Sequence, residues 1–176
     1  MASQTLPVYE IPSAKTPSVT TGHTAKTYPL QTGAPDALVL HCSDPRFQEA
    51  FHDFIHEELG IHMSAPICIP GSSAAFGAQT FLPKGWNALR RQLELLTEHS
   101  KFPRVVLINH DDCKGYGSIA QYLGGLAKVG QEQKTHLKKL ATFIMSEYLP
   151  GARLELYQAR IVQNGSGQAV QFDKVL

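Results

Sequence analysis

From residue 37 onward, short runs of apolar residues alternate with segments whose apolar positions recur every three to four residues. The uninterrupted runs are typical of strands buried on both faces of a parallel sheet, and they lie at 37–40, 65–69 and 105–108. The periodic segments predict helices with one buried face, at 45–59, around 86–96 and at 137–148. Strands that alternate with helices in this way indicate an α/β fold.

Two further strands are predicted near the C-terminus, at 154–162 and 169–174, and Asn164 and Gly165 lie between them. An Asn-Gly pair before an alternating segment favours an antiparallel hairpin at the edge of a sheet. We therefore predict a single α/β domain with a mostly parallel five-stranded sheet in the order 2-1-3-4-5. The hairpin forms its antiparallel C-terminal edge, and helices cover both faces.

Residues 1–36 are rich in Thr, Pro and Ser and show neither a helical nor a strand period. This composition predicts a flexible leader, or alternatively an N-terminal arm that orders against the domain or against a partner subunit. The sequence leaves both possibilities open. The predicted domain comprises residues 37–176.

Composition narrows the class of protein without identifying it. A chain of 176 residues with 43% hydrophobic residues can form one domain with a continuous core. The formal net charge of +1 gives no sign of a nucleic-acid or membrane partner. No apolar run approaches the roughly 20 residues of a transmembrane helix, and no secretory signal is recognisable. Three cysteines argue against a disulfide framework and favour a reducing, cytoplasmic location.

Two segments rich in reactive side chains each follow a predicted strand. The sequence His-Cys-Ser-Asp-Pro-Arg at 41–46 follows the first strand, and His-Asp-Asp-Cys at 110–113 follows the third. In the order 2-1-3-4-5 these strands are neighbours, and their carboxyl ends flank the switch point at which such sheets bind ligands. We therefore expect both segments to meet in one crevice.

The thiols and imidazole of these segments suit one zinc ion. Cys42, His110 and Cys113 provide the Cys2His set that catalytic zinc uses, with water in the fourth position. The spacing of His110 and Cys113 lets both side chains converge within one turn after a strand. The simpler interpretation is that buried thiols and a capping histidine occur there without a metal.

Asp44 and Arg46 are the candidate catalytic pair beside that site. Arg46 would orient the carboxylate toward the metal-bound water and keep it ionised. Two alternatives remain open for Asp44. It could coordinate the metal as a fourth ligand and close the site, or it could cap the following helix, at whose solvated start Arg46 would stand.

These segments resemble the motifs of the β-class carbonic anhydrases. Residues 42–46 resemble the C-x-D-x-R motif of that family, and residues 110–113 resemble its H-x-x-C motif. The order of strands and helices is similar over 37–176. The resemblance implies Zn2+ bound by Cys42, His110 and Cys113, an Asp44–Arg46 dyad, and reversible hydration of CO2 to bicarbonate by zinc-bound hydroxide. It also implies a homodimer or higher homo-oligomer with an N-terminal arm that wraps the partner.

The chain departs from that family pattern beside both motifs. Residues 70–73 read Pro-Gly-Ser-Ser where the family usually has an Arg-Asn-Ala-type segment, and Lys114 replaces a common glycine. These changes bear on the substrate more than on the metal. One alternative is therefore a zinc hydrolase of another small electrophile, of the carbon disulfide or carbonyl sulfide type. A second alternative is a catalytically silent zinc-binding assembly module.

Several other residues could contribute chemistry but are expected to have ordinary roles. Cys68 lies within an apolar strand and is expected in the core. His52 and His56 have the spacing of metal ligands on a helix, yet a partly exposed helix flank is the simpler interpretation, and packing or surface roles suit His41 and His62.

The last helix carries lysines that are expected to form a solvated face and not a binding patch, namely Lys134, Lys138 and Lys139. Ser72, Ser73 and Tyr116 are further candidates for the wall of the pocket.

Overall fold

The computed structural model describes residues 26–80, 83–120, 125 and 128–176. The chain divides into two units, Met1–Gln31 and Thr32–Leu176. Of the first unit only residues 26–31 are described, and they contain no helix or strand. The leader or arm predicted for residues 1–36 thus falls mainly outside the described residues and stays a prediction. The architecture below is that of the second unit.

A five-stranded sheet organises this unit in the order β2-β1-β3-β4-β5, which confirms the predicted topology. Neighbouring strands are parallel except for β5, which runs antiparallel to β4 at the edge. The strands are β1 (Ala37–Cys42), β2 (Ser64–Ile69), β3 (Arg104–His110), β4 (Arg153–Asn164) and β5 (Gly167–Lys174). Because β1 pairs with β3 in parallel, the segments predicted to carry the chemistry follow the same end of the sheet.

Five α-helices connect the strands in the described residues. They are α1 (Gln48–Asp53), α2 (Ala74–Gly77), α3 (Pro83–His99), α4 (Lys114–Ile119) and α5 (Val129–Glu147). A 3-10 turn at Pro45–Phe47 precedes α1, and a π-helical segment at Phe54–Glu58 follows it, so the helix predicted at 45–59 changes its hydrogen bonding twice. The short helices α2 and α4 lie outside the three segments in which a helix was predicted. With four and six residues, they are too short to give an amphipathic period.

Side chains of the strands alternate between two hydrophobic clusters, one on each face of the sheet. Leu38 and Leu40 of β1 pack in the cluster that includes residues of α3 and α5. Val39, between them, packs in the opposite cluster, which includes Phe47 and Phe51 of the helical segment around α1. This alternation is that of a strand buried on both sides. The prediction of helices on both faces is confirmed.

None of the described helices has the length and apolarity needed to cross a membrane. The longest, α5, has 19 residues, but its sequence includes Lys134, Lys138 and Lys139. These charges lie on the side of the helix that faces away from the buried Leu137 and Leu140. The apolar face of α5 accordingly packs against the sheet.

Candidate metal centre

Three potential metal ligands meet at the carboxyl ends of β1 and β3. Cys42 is the last residue of β1, His110 is the last residue of β3, and Cys113 immediately precedes α4. One ligand atom from each residue lies within 4.8 Å of those of the other two, and all three residues are buried. Within the described part of the chain, no other group of three His, Cys, Asp or Glu residues is placed in this way. The three residues could hold a metal ion.

The imidazole of His110 is prepared for coordination. Its Nδ1 lies 2.6 Å from the carbonyl oxygen of Asp111, which can only accept, so Nδ1 carries the proton and donates it. Its Nε2 is then a free acceptor, and this atom is buried with no hydrogen-bond partner among the described residues. An orphaned buried acceptor costs about 1–3 kcal/mol. A cation at Nε2 would remove that cost, so the residues fit a metal ion.

The two thiols form the second half of the donor set. Their Sγ atoms lie 3.9 Å apart, and the backbone N–H of Gly71 donates to Cys42 Sγ over 3.2 Å. Hydrogen bonding from Cys113, helped by the backbone N–H of Gly71, holds the pKa of Cys42 far below its ordinary value despite burial. The same contact with Cys42 raises the pKa of Cys113. The pair thus shares one proton, which a metal ion would displace because thiolates are the ligand form.

Two backbone segments press together beside the sulfur atoms. A Cβ atom on Gly115 would lie 2.5 Å from the Cα atom of Gly71, closer than two carbon atoms can approach. Ser72 and Asp112, which adjoin the same segments, have φ angles of 50° and 54°. Such left-handed conformations cost non-glycine residues about 1–3 kcal/mol and persist only where the surrounding structure enforces them. The loops that carry the ligands are therefore held tightly.

Arg46 binds two carboxylates next to this group. Its Nε and Nη2 atoms donate to Asp44 over 2.7–3.2 Å, and its Nη1 donates to Asp112 over 2.8 Å. Hydrogen bonds from Arg46 lower the pKa of Asp44 to about 2. The Asp44 carboxylate also accepts from the backbone N–H of Arg46 and so caps the helical segment. Pairing with arginine and helix capping, weighed as separate roles from the sequence, coexist in this one residue.

Asp112 is a member of this constellation that the sequence reasoning missed. It is the second aspartate of His-Asp-Asp-Cys, between the two metal ligands of that segment. Its position within the motif was the one sign in the sequence that it could take part in the site. A spacing pattern gives no indication of which of two adjacent carboxylates would reach across to Arg46.

A cavity of about 410 Å3 is lined by Cys42, one of the three candidate ligands, and by the Asp44–Arg46 pair. Its walls include Cys42, Asp44, Arg46 and Lys114, together with Ser43, Pro45, Pro70, Gly71 and Gly115. A volume in this range accommodates a small molecule. Arg46 is engaged by two carboxylates, whereas Lys114 makes no ion pair with any described residue. Lys114 therefore supplies an uncompensated positive charge at the wall.

Three residues expected in the wall lie behind it instead. Ser72 donates to the carbonyl oxygen of Ile108, and Ser73 donates to Asn109 Oδ1 and also bonds the hydroxyl of Tyr116. All three are buried, and none lines the cavity. The expectation was wrong because the tight turn after β2 directs the two serine hydroxyls toward the buried end of β3, and the Tyr116 hydroxyl bonds Ser73 there.

The remaining candidates lie away from the cavity. His41 is buried against Phe51, with ring centroids 4.7 Å apart, which agrees with a packing role. The rings of His52 and His56 are 4.3 Å apart, and the described residues supply no third ligand to them. Cys68 is exposed, so its expected place in the core was wrong. Since β2 is an edge strand, Ile67 faces the core and Cys68 faces outward.

A comparison with models of protein families finds no match to this chain, and a search of curated proteins finds no relative. The resemblance to β-class carbonic anhydrases therefore rests on the two motifs, and membership of that family stays a prediction. The geometry by itself establishes a buried Cys-His-Cys group that could bind a metal ion.

Proposed function

We propose that the metal is zinc. Cys42, His110 and Cys113 form a Cys2His donor set, which zinc uses in catalytic sites while keeping one open position. Two thiolates bound to tetrahedral zinc at about 2.3 Å lie about 3.8 Å from each other. The sulfur atoms here are 3.9 Å apart, close to that value. With three protein ligands rather than four, the site suits catalysis better than a purely structural role.

We further propose that the protein catalyses the reversible hydration of CO2 to bicarbonate. The observation that carries this proposal is that Cys42 lines the same cavity as the Asp44–Arg46 pair. Bound zinc would supply a Lewis acid that lowers the pKa of water at its open position toward neutrality. The chain's own residues would then orient the reactants in the cavity.

Asp44 acts in this scheme by accepting a hydrogen bond, not by keeping a proton. With its pKa lowered to about 2, this carboxyl group stays ionised at neutral pH. The carboxylate therefore does not retain the proton that hydration releases, and this proton has to pass to solvent. The ionised carboxylate can accept a hydrogen bond from the attacking water and fix its direction of attack.

Arg46 is the positioning residue for that carboxylate. It donates to both oxygens of Asp44 and is itself held by Asp112. A carboxylate gripped in this way has little rotational freedom, so less entropy is lost when the water is oriented. The alternative in which Asp44 coordinates the metal would turn the carboxylate away from its present hydrogen bonds with Arg46. Among the described residues, the close group of ligand atoms comprises only Cys42, His110 and Cys113.

The cavity is suited to a small, linear electrophile and to its anionic product. Pro45, Pro70 and Gly71 contribute surface without charge, against which uncharged CO2 can lie. Lys114 offers a cation to bicarbonate. We include in this proposal a homodimer or higher homo-oligomer, as the family resemblance implies. We also include a cytoplasmic location, because free thiols need a reducing compartment.

Stopped-flow CO2 hydration by the zinc-loaded protein tests the proposal, alongside measurement of zinc per chain. We expect rapid hydration that is lost in Asp44→Asn while zinc is retained. Cys68→Ser is the matched control for thiol substitutions, because Cys68 lies outside the ligand group. Full zinc occupancy without hydration from mildly acidic to mildly alkaline pH would contradict the proposal. Release of sulfide from carbonyl sulfide would then identify the alternative hydrolase, and inertness toward both substrates would leave the assembly module.

A further inference from the structure

A second cavity, separate from the metal site, lies where α5 faces β4 and β5. Its volume is about 590 Å3, and it shares no lining residue with the metal cavity. The walls come from α5, β4, β5 and the residue after β3, and they comprise Asp111, Gly130, Gln133, Lys134, Lys138, Gln158, Arg160, Asp173, Lys174 and Val175. We propose that this cavity binds a phosphate monoester, that is, a small phosphorylated molecule that carries a hydroxyl group.

Charge in this cavity favours an anion. Its lining holds four cationic side chains, of Lys134, Lys138, Lys174 and Arg160, and the carboxylates of Asp111 and Asp173. Four positive and two negative groups leave a formal charge of two, against +1 for the entire chain. A concave wall with a net positive charge concentrates a positive electrostatic potential and attracts anions.

Three of these cations are free to meet a ligand. Arg160 is paired with Asp173. The three lysines make no ion pair with any described residue. Lysine ammonium groups are point charges that suit the oxygens of a phosphate dianion. Three ammonium groups from two different elements therefore line one cavity without a direct ion pair to either of its carboxylates.

The placement of the lysines on α5 separates this cavity from an ordinary solvated helix face. Lys134 and Lys138 are four residues apart, so they stand one above the other and both line the cavity. Lys139, the next residue, is exposed but does not line it. Two like charges at this spacing repel each other on an isolated helix. An anion bound between these lysines and Lys174 would offset that repulsion by attracting all three ammonium groups.

The lining also contains buried amides that favour a ligand hydroxyl. Gln158 Nε2 donates to Asp111 Oδ1 over 3.1 Å and to Gln133 Oε1 over 3.2 Å. Gln158 Oε1 is buried and has no hydrogen-bond partner among the described residues. A buried carbonyl oxygen without a donor is unfavourable, so a hydroxyl that reached it after a small side-chain shift would be stabilised. Together, the three lysines and the unpartnered Gln158 Oε1 favour an anion that also carries a hydroxyl group.

Titration calorimetry of the zinc-loaded protein with glycerol 3-phosphate, inorganic phosphate and glycerol tests this inference. We expect saturable binding of glycerol 3-phosphate, weaker binding of inorganic phosphate, none of glycerol, and weakening as salt is raised. The variant with Lys134→Gln and Lys138→Gln should lose about tenfold or more in affinity. Glutamine has nearly the same helix propensity as lysine, and both sites are exposed, so the fold should be retained. Lys139→Gln is the matched control and should bind normally.

Four outcomes would overturn the inference: no saturable binding of either phosphate compound, an equal loss in Lys139→Gln, equal affinity for the two phosphate compounds, or a loss confined to Lys114→Gln. The last would place the anion in the metal cavity. None of these readouts involves CO2 hydration, so the phosphate site and the proposed activity fail or survive separately.

Discussion

Strand β3 has an arginine–carboxylate pair near each of its ends, and the two pairs differ in their surroundings. At the amino end, Arg104 donates to Glu155 over 2.8 Å and 3.0 Å, and the Glu155 side chain is only 3% exposed. At the carboxyl end, Arg46 bridges Asp44 and Asp112, and the Arg46 side chain is 45% exposed. The carboxylate is thus buried at one end, where the exposed Arg153 also lies 3.4 Å from Glu155, and the pair lines a cavity at the other end.

This contrast indicates that the pair at the amino end contributes to stability, whereas the pair at the carboxyl end contributes to function. A buried pair leaves an uncompensated charge behind when one partner is removed, so its loss is costly. An exposed pair is screened by water and adds little to folding, typically about 0–1 kcal/mol. The Asp44–Arg46 pair is therefore better explained by the group it orients than by the stability it adds. Substitutions at the two ends of β3 should accordingly have different effects.

The largest expected effect is on the metal ligands at the carboxyl end. Cys113→Ser removes a thiolate from the group, so bound zinc should fall from about one ion per chain to none. Zinc should then no longer raise the unfolding temperature. Metal analysis after dialysis and thermal unfolding with and without zinc measure both effects. Cys68→Ser, whose thiol is exposed and outside the group, should keep its zinc. Retention of zinc by Cys113→Ser would refute the ligand set.

At the amino end, Glu155→Ala should reduce the free energy of unfolding by about 3–5 kcal/mol, because Arg104 loses its buried partner. The hydroxyl of Tyr157, which donates to Glu155 over 2.9 Å, would lose its acceptor as well. Denaturant unfolding measures the change, and zinc content should stay the same. A loss below about 1 kcal/mol would show that the pair behaves like an exposed one.

Asp44→Asn should show the opposite profile. Asparagine caps a helix as well as aspartate does, so the free energy of unfolding should change by less than about 1 kcal/mol. CO2 hydration should fall by about 100-fold or more, because the neutral amide no longer accepts the hydrogen bond of the water in the same way. Stopped-flow kinetics at equal zinc content measure the loss. Wild-type rates in this variant would remove Asp44 from the mechanism.

The pH dependence of stability provides a gentler test of the buried pair. Burial alone would raise the pKa of Glu155, but hydrogen bonds from Arg104 and Tyr157 outweigh it and lower the pKa. The contribution of the ionised group is therefore complete above its unfolded pKa of about 4.3, and it is lost as the pH falls through the lower folded pKa. Denaturant unfolding of zinc-free wild type and Glu155→Gln should show a gap that narrows on acidification. A gap that widens would contradict this sign.

The smallest expected effect concerns Lys114, the unpaired cation of the metal cavity. Lys114→Ala should weaken inhibition by small anions, and raise the KM for bicarbonate, by roughly threefold, since an exposed charge is strongly screened. The kcat for CO2 hydration should change little, because CO2 is uncharged. Lys139→Ala is the control. An equal effect in that variant would assign the change to net charge rather than to the cavity.

The fold was predictable from the sequence wherever buried residues recur at a regular spacing along the chain. The runs at 37–40 and 105–108 are buried on both faces, and the parallel order follows from their alternation with helices. Helices α2 and α4 were missed, since each buries only a few small or isolated side chains. The outward position of Cys68 follows from an edge strand, a property of the sheet and not of the local sequence.

For the site, the motifs predicted which residue types converge but not how they are connected. The juxtaposition of Cys42, His110 and Cys113 follows from the topology, because β1 and β3 are neighbours. The reach of Asp112 to Arg46 and the amide of Gly71 behind Cys42 depend on turn geometry that no spacing encodes. The lysine-lined cavity was equally hidden, since its charges come from three elements far apart in sequence.

The contact between Gly71 and Gly115 has a consequence for how the protein can be altered. The segments after β2 and after β3 touch through bare backbone. A Cβ atom on Gly115 would collide with Gly71, and a Cβ atom on Gly71 would lie 2.9 Å from Ala74 Cβ and 3.3 Å from Gly115 Cα, so a side chain at either point would shift its surroundings. Both segments also deliver groups to Cys42 or Cys113. Insertions or substitutions in one loop should therefore be combined with matching changes in the other. If the site is moved to another protein, both loops have to be moved together.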